Sequence, residues 1–180
     1  MKSIATIFAV LIFSTATLAQ SSFSSKLNSV LEKVIQDHLK NYKDIKGGVI
    51  VQRPQLTEYK STVFVPGASS CVITHSNISG NDQYSWSCVL LESGNYDQVQ
   101  SKFNETYQQL SNSIIKLQGE KPYILTGKYE KPKVQKNYSK IYFDLIPGIG
   151  ETKKLKVELS IVKENAGWKL LLSVHDQDLA

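Results

Sequence analysis

Two cysteines, Cys71 and Cys88, stand at equal distances from the centre of a dense turn signal, and this placement constrains the fold more than any other feature of the chain. The signal is Asn77-Ile78-Ser79-Gly80-Asn81-Asp82, rich in residues that accept turn geometry. A hairpin centred between Ser79 and Gly80 sets Cys71 opposite Cys88, Ile73 opposite Trp86 and His75 opposite Tyr84. Because side chains alternate along a strand, Cys71, Ile73, Tyr84, Trp86, Cys88 and Leu90 then share one face. A catalytic redox pair is more often Cys-x-x-Cys, so the spacing predicts a structural Cys71–Cys88 disulfide.

Two stretches have helical period. Leu27, Val30, Leu31, Val34, Ile35, Leu39 and Tyr42 form one apolar stripe, with Lys26, Glu32, Lys33, Asp37 and Lys40 outside it. Ser24 or Ser25 is expected to cap this helix, and Gly47-Gly48 to stop it. Tyr96, Val99, Phe103, Tyr107, Leu110, Ile114 and Leu117 form the second stripe. Asn95 and Gln98 resemble a capping box there, and Gly119 ends the run. Each helix is followed by four expected strands: 48–52, 59–65, 71–76 and 84–91, then 123–129, 140–146, 154–162 and 168–175. Leu155, Val157, Leu159 and Ile161 alternate with Lys154, Lys156, Glu158 and Ser160, and Asn165-Ala166-Gly167 supplies the following turn. The expected class is α+β, with two helices packed on an antiparallel sheet.

The halves share landmarks in the same order. Val65-Pro66-Gly67 matches Ile146-Pro147-Gly148, and Trp86 matches Trp168. This predicts a duplicated α-β-β-β-β unit, with pseudo-repeats over about residues 24–92 and 95–175. The layout resembles small exported bacterial proteins with such a unit in tandem, as in PepSY-like and β-lactamase-inhibitor-like domains. The resemblance lies in element order across most of the chain and carries over no functional residue.

The N-terminus carries a compartment signal. Met1-Lys2 is a short positive start, residues 4–18 are apolar apart from small hydroxyl residues, and Thr17-Leu18-Ala19 offers small residues where a signal peptidase cuts. The apolar run is shorter than the roughly 20 residues a spanning helix needs. Residues 1–19 are therefore expected to be a cleaved signal peptide, leaving a single domain over 20–180, periplasmic or extracellular, with no later transmembrane segment.

Charge and chemistry narrow the function. The formal net charge is +5 and Arg53 is the lone arginine, which disfavours nucleic-acid readers built on Arg forks. His38, His75 and His175 have no zinc-ligand spacing, and no phosphate loop or nucleophile motif is present. The expectation is a protein without catalytic residues, metal or cofactor. Lys128–Lys140 interleaves lysines with Tyr129 and Tyr138. The simpler reading is a solvated connection; the functional one is a basic loop for an acidic protein, anionic glycan or lipid headgroup. The leading expectation is an exported binding or accessory protein acting on another envelope or secreted macromolecule. Tyr59, Tyr129, Tyr138 and Tyr142 are its candidate interface residues, since tyrosine is enriched at interfaces. The alternative is a small-molecule or lipid carrier with an apolar pocket between helices and sheet.

Overall fold

The computed structural model describes residues 14–78, 80–165 and 167–177. Strands β3 (Ser70–Ile78) and β4 (Asn81–Ser93) form the expected hairpin: Cys71 pairs with Cys88, Ile73 with Trp86 and His75 with Tyr84. Cys71 and Cys88 are joined by a disulfide. Cys71, Ile73, Trp86, Cys88 and Leu90 are buried in the core and Tyr84 packs at its margin. The bridge spans a sequence separation of 17 residues. Changing both cysteines to Ala is expected to lower stability by about 3 kcal/mol. Denaturant titration measures this; a loss under about 1 kcal/mol would mean that strand pairing alone holds the hairpin.

These strands belong to a nine-stranded antiparallel sheet with β1 (Lys46–Arg53), β2 (Leu56–Ser61), β5 (Ile114–Ile115), β6 (Tyr123–Gly127), β7 (Tyr138–Ile146), β8 (Leu155–Glu164) and β9 (Gly167–Asp176). The order is β1-β2-β3-β4-β9-β8-β7-β6-β5, which reads outward symmetrically from the β4–β9 pair. In that pair Val89 lies opposite Leu171. Their separation (171 − 89 = 82) equals that of Trp86 and Trp168 (168 − 86 = 82). The Pro-Gly landmarks fall alike, between β2 and β3 and between β7 and β8. The short β5 has no counterpart.

One sheet face carries the core. The ladder Ile141-Leu159-Leu172-Cys88-Cys71 crosses five strands, and Phe143-Val157-Val174-Trp86-Ile73-Tyr59 crosses six. Helix α1 (Ser14–His38) covers this face with Leu27, Leu31, Val34 and Ile35, and α2 (Tyr96–Leu110) with Val99, Phe103 and Leu110. All seven are fully buried. The α+β class is thus observed, with both helices on the same side.

The helix ends differ from expectation. α1 is already helical at Ser14, the first described residue, so Ser24 and Ser25 lie inside it rather than capping it. Residues 1–13, most of the expected signal segment, lie outside the described residues. α1 stops at His38, short of Tyr42. Helical spacing puts Asp37 on the polar face, yet it is buried, and its Oδ2 accepts the backbone N–H groups of Asp44 and Ile45 at 3.0 Å each. Its carbonyl accepts from the Tyr42 N–H at 2.9 Å, and Asn41 and Tyr42 take positive φ of 55° and 57°. A buried carboxylate thus captures backbone donors and turns the chain. Tyr42 still enters the core from the turn, its hydroxyl donating to the Val174 carbonyl at 2.8 Å. Gly47-Gly48 does not stop the helix but lies at an irregularity in β1. A Cβ on Gly47 would stand 2.8 Å from the Lys60 carbonyl oxygen, so only glycine permits that approach.

α2 begins as expected, with Asn95 Oδ1 accepting from the Asp97 N–H at 2.9 Å. Gln98 does not close a capping box; its Oε1 accepts from the Ser93 hydroxyl at 2.8 Å. The helix ends at Leu110 rather than Leu117. Asn112 takes a positive φ of 63°, and Ile114-Ile115 pairs with Ile124 and Tyr123 as β5. The two β-branched residues fit an extended edge better than a last helical turn.

Candidate functional site

Strand alternation places a second set of ladders on the helix-free face. Tyr142-Glu158-Ser173-Ser87-Val72-Lys60 and Asp144-Lys156-His175-Ser85-Thr74-Glu58 each cross six strands. An antiparallel sheet with one face in water carries this polar composition.

Near the centre of that face the polar side chains are not simply solvated. Glu158 and His175 are only 8% and 6% exposed. The Tyr138 hydroxyl donates to Glu158 Oε1 at 2.6 Å, and His175 Nε2 lies 3.4 Å from Glu158 Oε2. His175 Nδ1 lies 2.7 Å from the Asp176 carbonyl oxygen. Lys140 Nζ donates to the Tyr142 hydroxyl and sits 5.4 Å from the Tyr138 ring centroid. Burial works to raise the Glu158 carboxyl, but hydrogen bonds from His175, Tyr138 and Ser160 outweigh it and hold it at about 2. Burial likewise opposes a charged His175, yet the bond to Glu158 prevails and its pKa is raised. Burial, then the bond to Glu158, pushes the Tyr138 hydroxyl well above its ordinary value.

Both Glu158 oxygens are therefore engaged inside the protein. A general base needs an oxygen free to reach a substrate proton. The arrangement instead fixes the rings of Tyr138 and Tyr142 and the Lys140 ammonium on a rigid sheet. Farther along the same face, past the Asp144–Lys156 ion pair, at the β5–β6–β7 corner, Ile114 pairs with Ile124 and Ile124 with Ile146. These three are 52%, 45% and 49% exposed and form an apolar row on the same helix-free face.

The four candidate tyrosines divide between the faces. Tyr138 and Tyr142 stand together on the helix-free face. Tyr59 lies on the other, pairing with Ile73, with the Lys46 Nζ 4.8 Å from its ring centroid. Tyr129 leans on α2, its hydroxyl donating to Asn104 Oδ1 at 2.8 Å. His75 stacks on Tyr84 and its Nε2 lies 2.8 Å from Asp82 Oδ1. His38 closes α1 near Asp176, at 3.5 Å. Sequence reasoning weighed His175 only as a possible zinc ligand and did not single out Glu158 or the isoleucine row; the alternation of β8 and β9 held the signal that joins Glu158 to His175.

Between helices and sheet, where a carrier would hold its ligand, stand Trp86, Tyr42, Phe103 and Phe143, all fully buried. Among the described residues no group of three or more His, Cys, Asp or Glu is placed to hold a metal ion, and no helix is long and apolar enough to cross a membrane.

No family model matches the chain, and no curated protein is significantly similar to it. Among solved structures, CalU16 from Micromonospora echinospora is similar over 57% of this chain and 67% of that one, with 18% identity and a TM-score of 0.26. A likeness that slight carries no argument about fold or activity.

Proposed function

We propose that this is an exported, non-enzymatic binding or accessory protein that holds another envelope or secreted macromolecule against the helix-free face of its sheet. The observation that carries the reading is the exposed row Ile114-Ile124-Ile146 on the same sheet face as the fixed Tyr138–Lys140–Tyr142 cluster. An apolar strip flanked by polar and aromatic side chains is the composition of a macromolecular interface. Export rests on the signal pattern of residues 1–19, and the Cys71–Cys88 disulfide suits an oxidising compartment. Engagement of both Glu158 oxygens supports a structural role for that residue.

The test is a paired capture experiment on envelope and secreted proteins. Tagged wild type is compared with Ile124→Ser/Ile146→Ser and with Tyr142→Ala. Exposed positions of this kind cost little when changed, so the serine variant should melt close to wild type. Its affinity for the captured partner should fall at least about tenfold, because interface energy concentrates in a few apolar and aromatic anchors. Undiminished capture by both variants would refute the assignment of this face.

A further inference from the structure

The segment Lys128–Lys140 joins β6 to the first residues of β7, and of its charges the sheet-face reading uses Lys140 alone. It has five lysines and one acid, Glu130, a local charge of 5 − 1 = +4 in a chain of net charge +5. Most of the net positive charge thus falls in this segment, with four of the five lysines on the loop before β7.

That loop is held in place. The Tyr129 hydroxyl donates to Asn104 Oδ1 at 2.8 Å, and Gln100 Nε2 donates to the Pro132 carbonyl at 2.9 Å. The Lys136 N–H closes a turn onto the Lys133 carbonyl at 3.0 Å, and the Lys163 N–H donates to the Asn137 carbonyl at 2.8 Å. Pro132 is buried while Lys128, Lys131, Lys133 and Lys136 are exposed. Lys136 reaches Glu130 at 3.5 Å. Among the described residues, Lys128, Lys131 and Lys133 make no ion pair. Three of these bonds tie the segment to α2 and β8 and one closes a turn within it, so the backbone that carries the cations is pre-organised.

Between this loop and the first turn of α2 runs an open groove of about 880 Å³. Asn95, Tyr96, Gln100, Lys131, Lys133 and Gln135 border it, with Asp97 its one acid and Pro132 and Val134 its aliphatic side chains. A smaller recess of about 170 Å³ beside Lys136, Tyr138 and Lys140 also borders Lys131, so the two hollows flank one lysine.

The lining discriminates among anionic partners. A folded protein anchors by sinking aromatic or aliphatic side chains into fitted apolar pockets, and this groove is wide open, its wall divided between polar and apolar surface rather than closed into such a pocket. A chain of sugar rings needs the opposite: side-chain amides for its hydroxyls, an aromatic ring beside its apolar faces, and cations for its carboxylates. We propose that the groove binds an acidic polysaccharide bearing uronate carboxylates. Lys131 and Lys133 pair with the carboxylates, Gln135 and the Gln100 Oε1 meet the hydroxyls, and Tyr96, held edge-on against Trp168, meets a ring; the Gln100 Nε2 is already committed to Pro132 and Tyr96. This site is separate from the isoleucine row and stands or falls independently of it.

The test titrates the purified protein with oligogalacturonate, with polyglutamate of matched charge and neutral dextran alongside. Oligogalacturonate should bind, and should weaken as ionic strength rises from about 0.02 M to about 0.2 M, where the screening length drops below about 10 Å. Lys131→Glu/Lys133→Glu should weaken it about tenfold or more, the scale expected when two ion pairs become repulsions. Lys121→Glu/Lys154→Glu makes the same net charge change elsewhere on the exposed surface and should leave affinity within about twofold. Thermal melting of both variants checks folding, and Lys131→Gln/Lys133→Gln, which adds no repulsion, should show an intermediate loss. The proposal is overturned if oligogalacturonate does not bind, if polyglutamate binds equally well, or if the two charge-reversal pairs lose affinity alike.

Discussion

Trp86→Ala is expected to cost about 3–5 kcal/mol, enough to leave a domain of ordinary stability substantially unfolded. Trp86 is fully buried and sits inside the six-strand ladder, between Ile73 and Val174. Its indole N–H donates to Ser61 Oγ at 3.0 Å, and that hydroxyl in turn accepts from the Val63 N–H at 3.1 Å. Truncation therefore opens a cavity at the middle of the sheet and removes a tie to the segment leaving β2. The rigid disulfide-bonded hairpin on one side limits how far neighbours can collapse into the space. Trp86→Phe keeps most of the volume and loses the hydrogen bond, so it should cost less, about 1–3 kcal/mol. Urea titration of the three proteins measures both losses. An alanine variant within about 1 kcal/mol of wild type would mean that the core does not depend on this ladder.

Local signals sufficed where two of them agreed. The Cys71–Cys88 register was legible because a turn signal and a cysteine pair shared one centre. The strand faces of β8 and β9 were legible because apolar and polar residues alternate without interruption. The helix ends were not, since they depend on contacts that spacing does not encode. Asp37 has helical propensity like any polar-face residue, and only the folded turn shows its carboxylate taking the N–H groups of Asp44 and Ile45. Ile114 continues a helical stripe and equally suits a strand; pairing with Ile124 decides between them. The isoleucine row followed from that decision and was invisible without it. Tyr138 lay outside the expected strand 140–146, so its place beside Tyr142 follows only from β7 starting at Tyr138, and Tyr59 and Tyr129 required knowledge of which face the helices cover. The Glu158 cluster was within reach: extending the hairpin at Asn165-Ala166-Gly167 pairs Glu158 with Ser173 and Lys156 with His175. Its burial was not, because that depends on Tyr138 and Tyr142 closing over it.

That cluster should shape the pH dependence of stability, and Glu158→Ala should cost about 3–5 kcal/mol by leaving His175 and Tyr138 without their buried partner. The sign follows from the two shifts. His175 has its pKa raised above 6.5, so its contribution is complete below that value and fades as pH rises through the raised one. Glu158 is held at about 2 against an ordinary 4.5, so its contribution is complete above 4.5 and fades as pH falls toward about 2. Both act together between 4.5 and 6.5. Other groups pull differently: burial lowers the pKa of His38, which adds to the loss at acid pH, and raises that of Asp37, which offsets it. The informative quantity is therefore the difference between wild type and Glu158→Gln, in which Asp37 cancels and His38 enters only through the His175 charge it feels. Glutamine keeps the shape and an acceptor for Tyr138 but not the charge that sustains protonated His175. The difference in unfolding free energy should be largest between 4.5 and 6.5 and shrink on both sides, with the alkaline decline of wild type flattened in the variant. Urea titrations at closely spaced pH values would show it, and nuclear magnetic resonance titration of the His175 ring would report its pKa directly. A His175 pKa unmoved by Glu158→Gln would show that the Asp176 carbonyl at 2.7 Å, not the carboxylate, keeps the ring protonated.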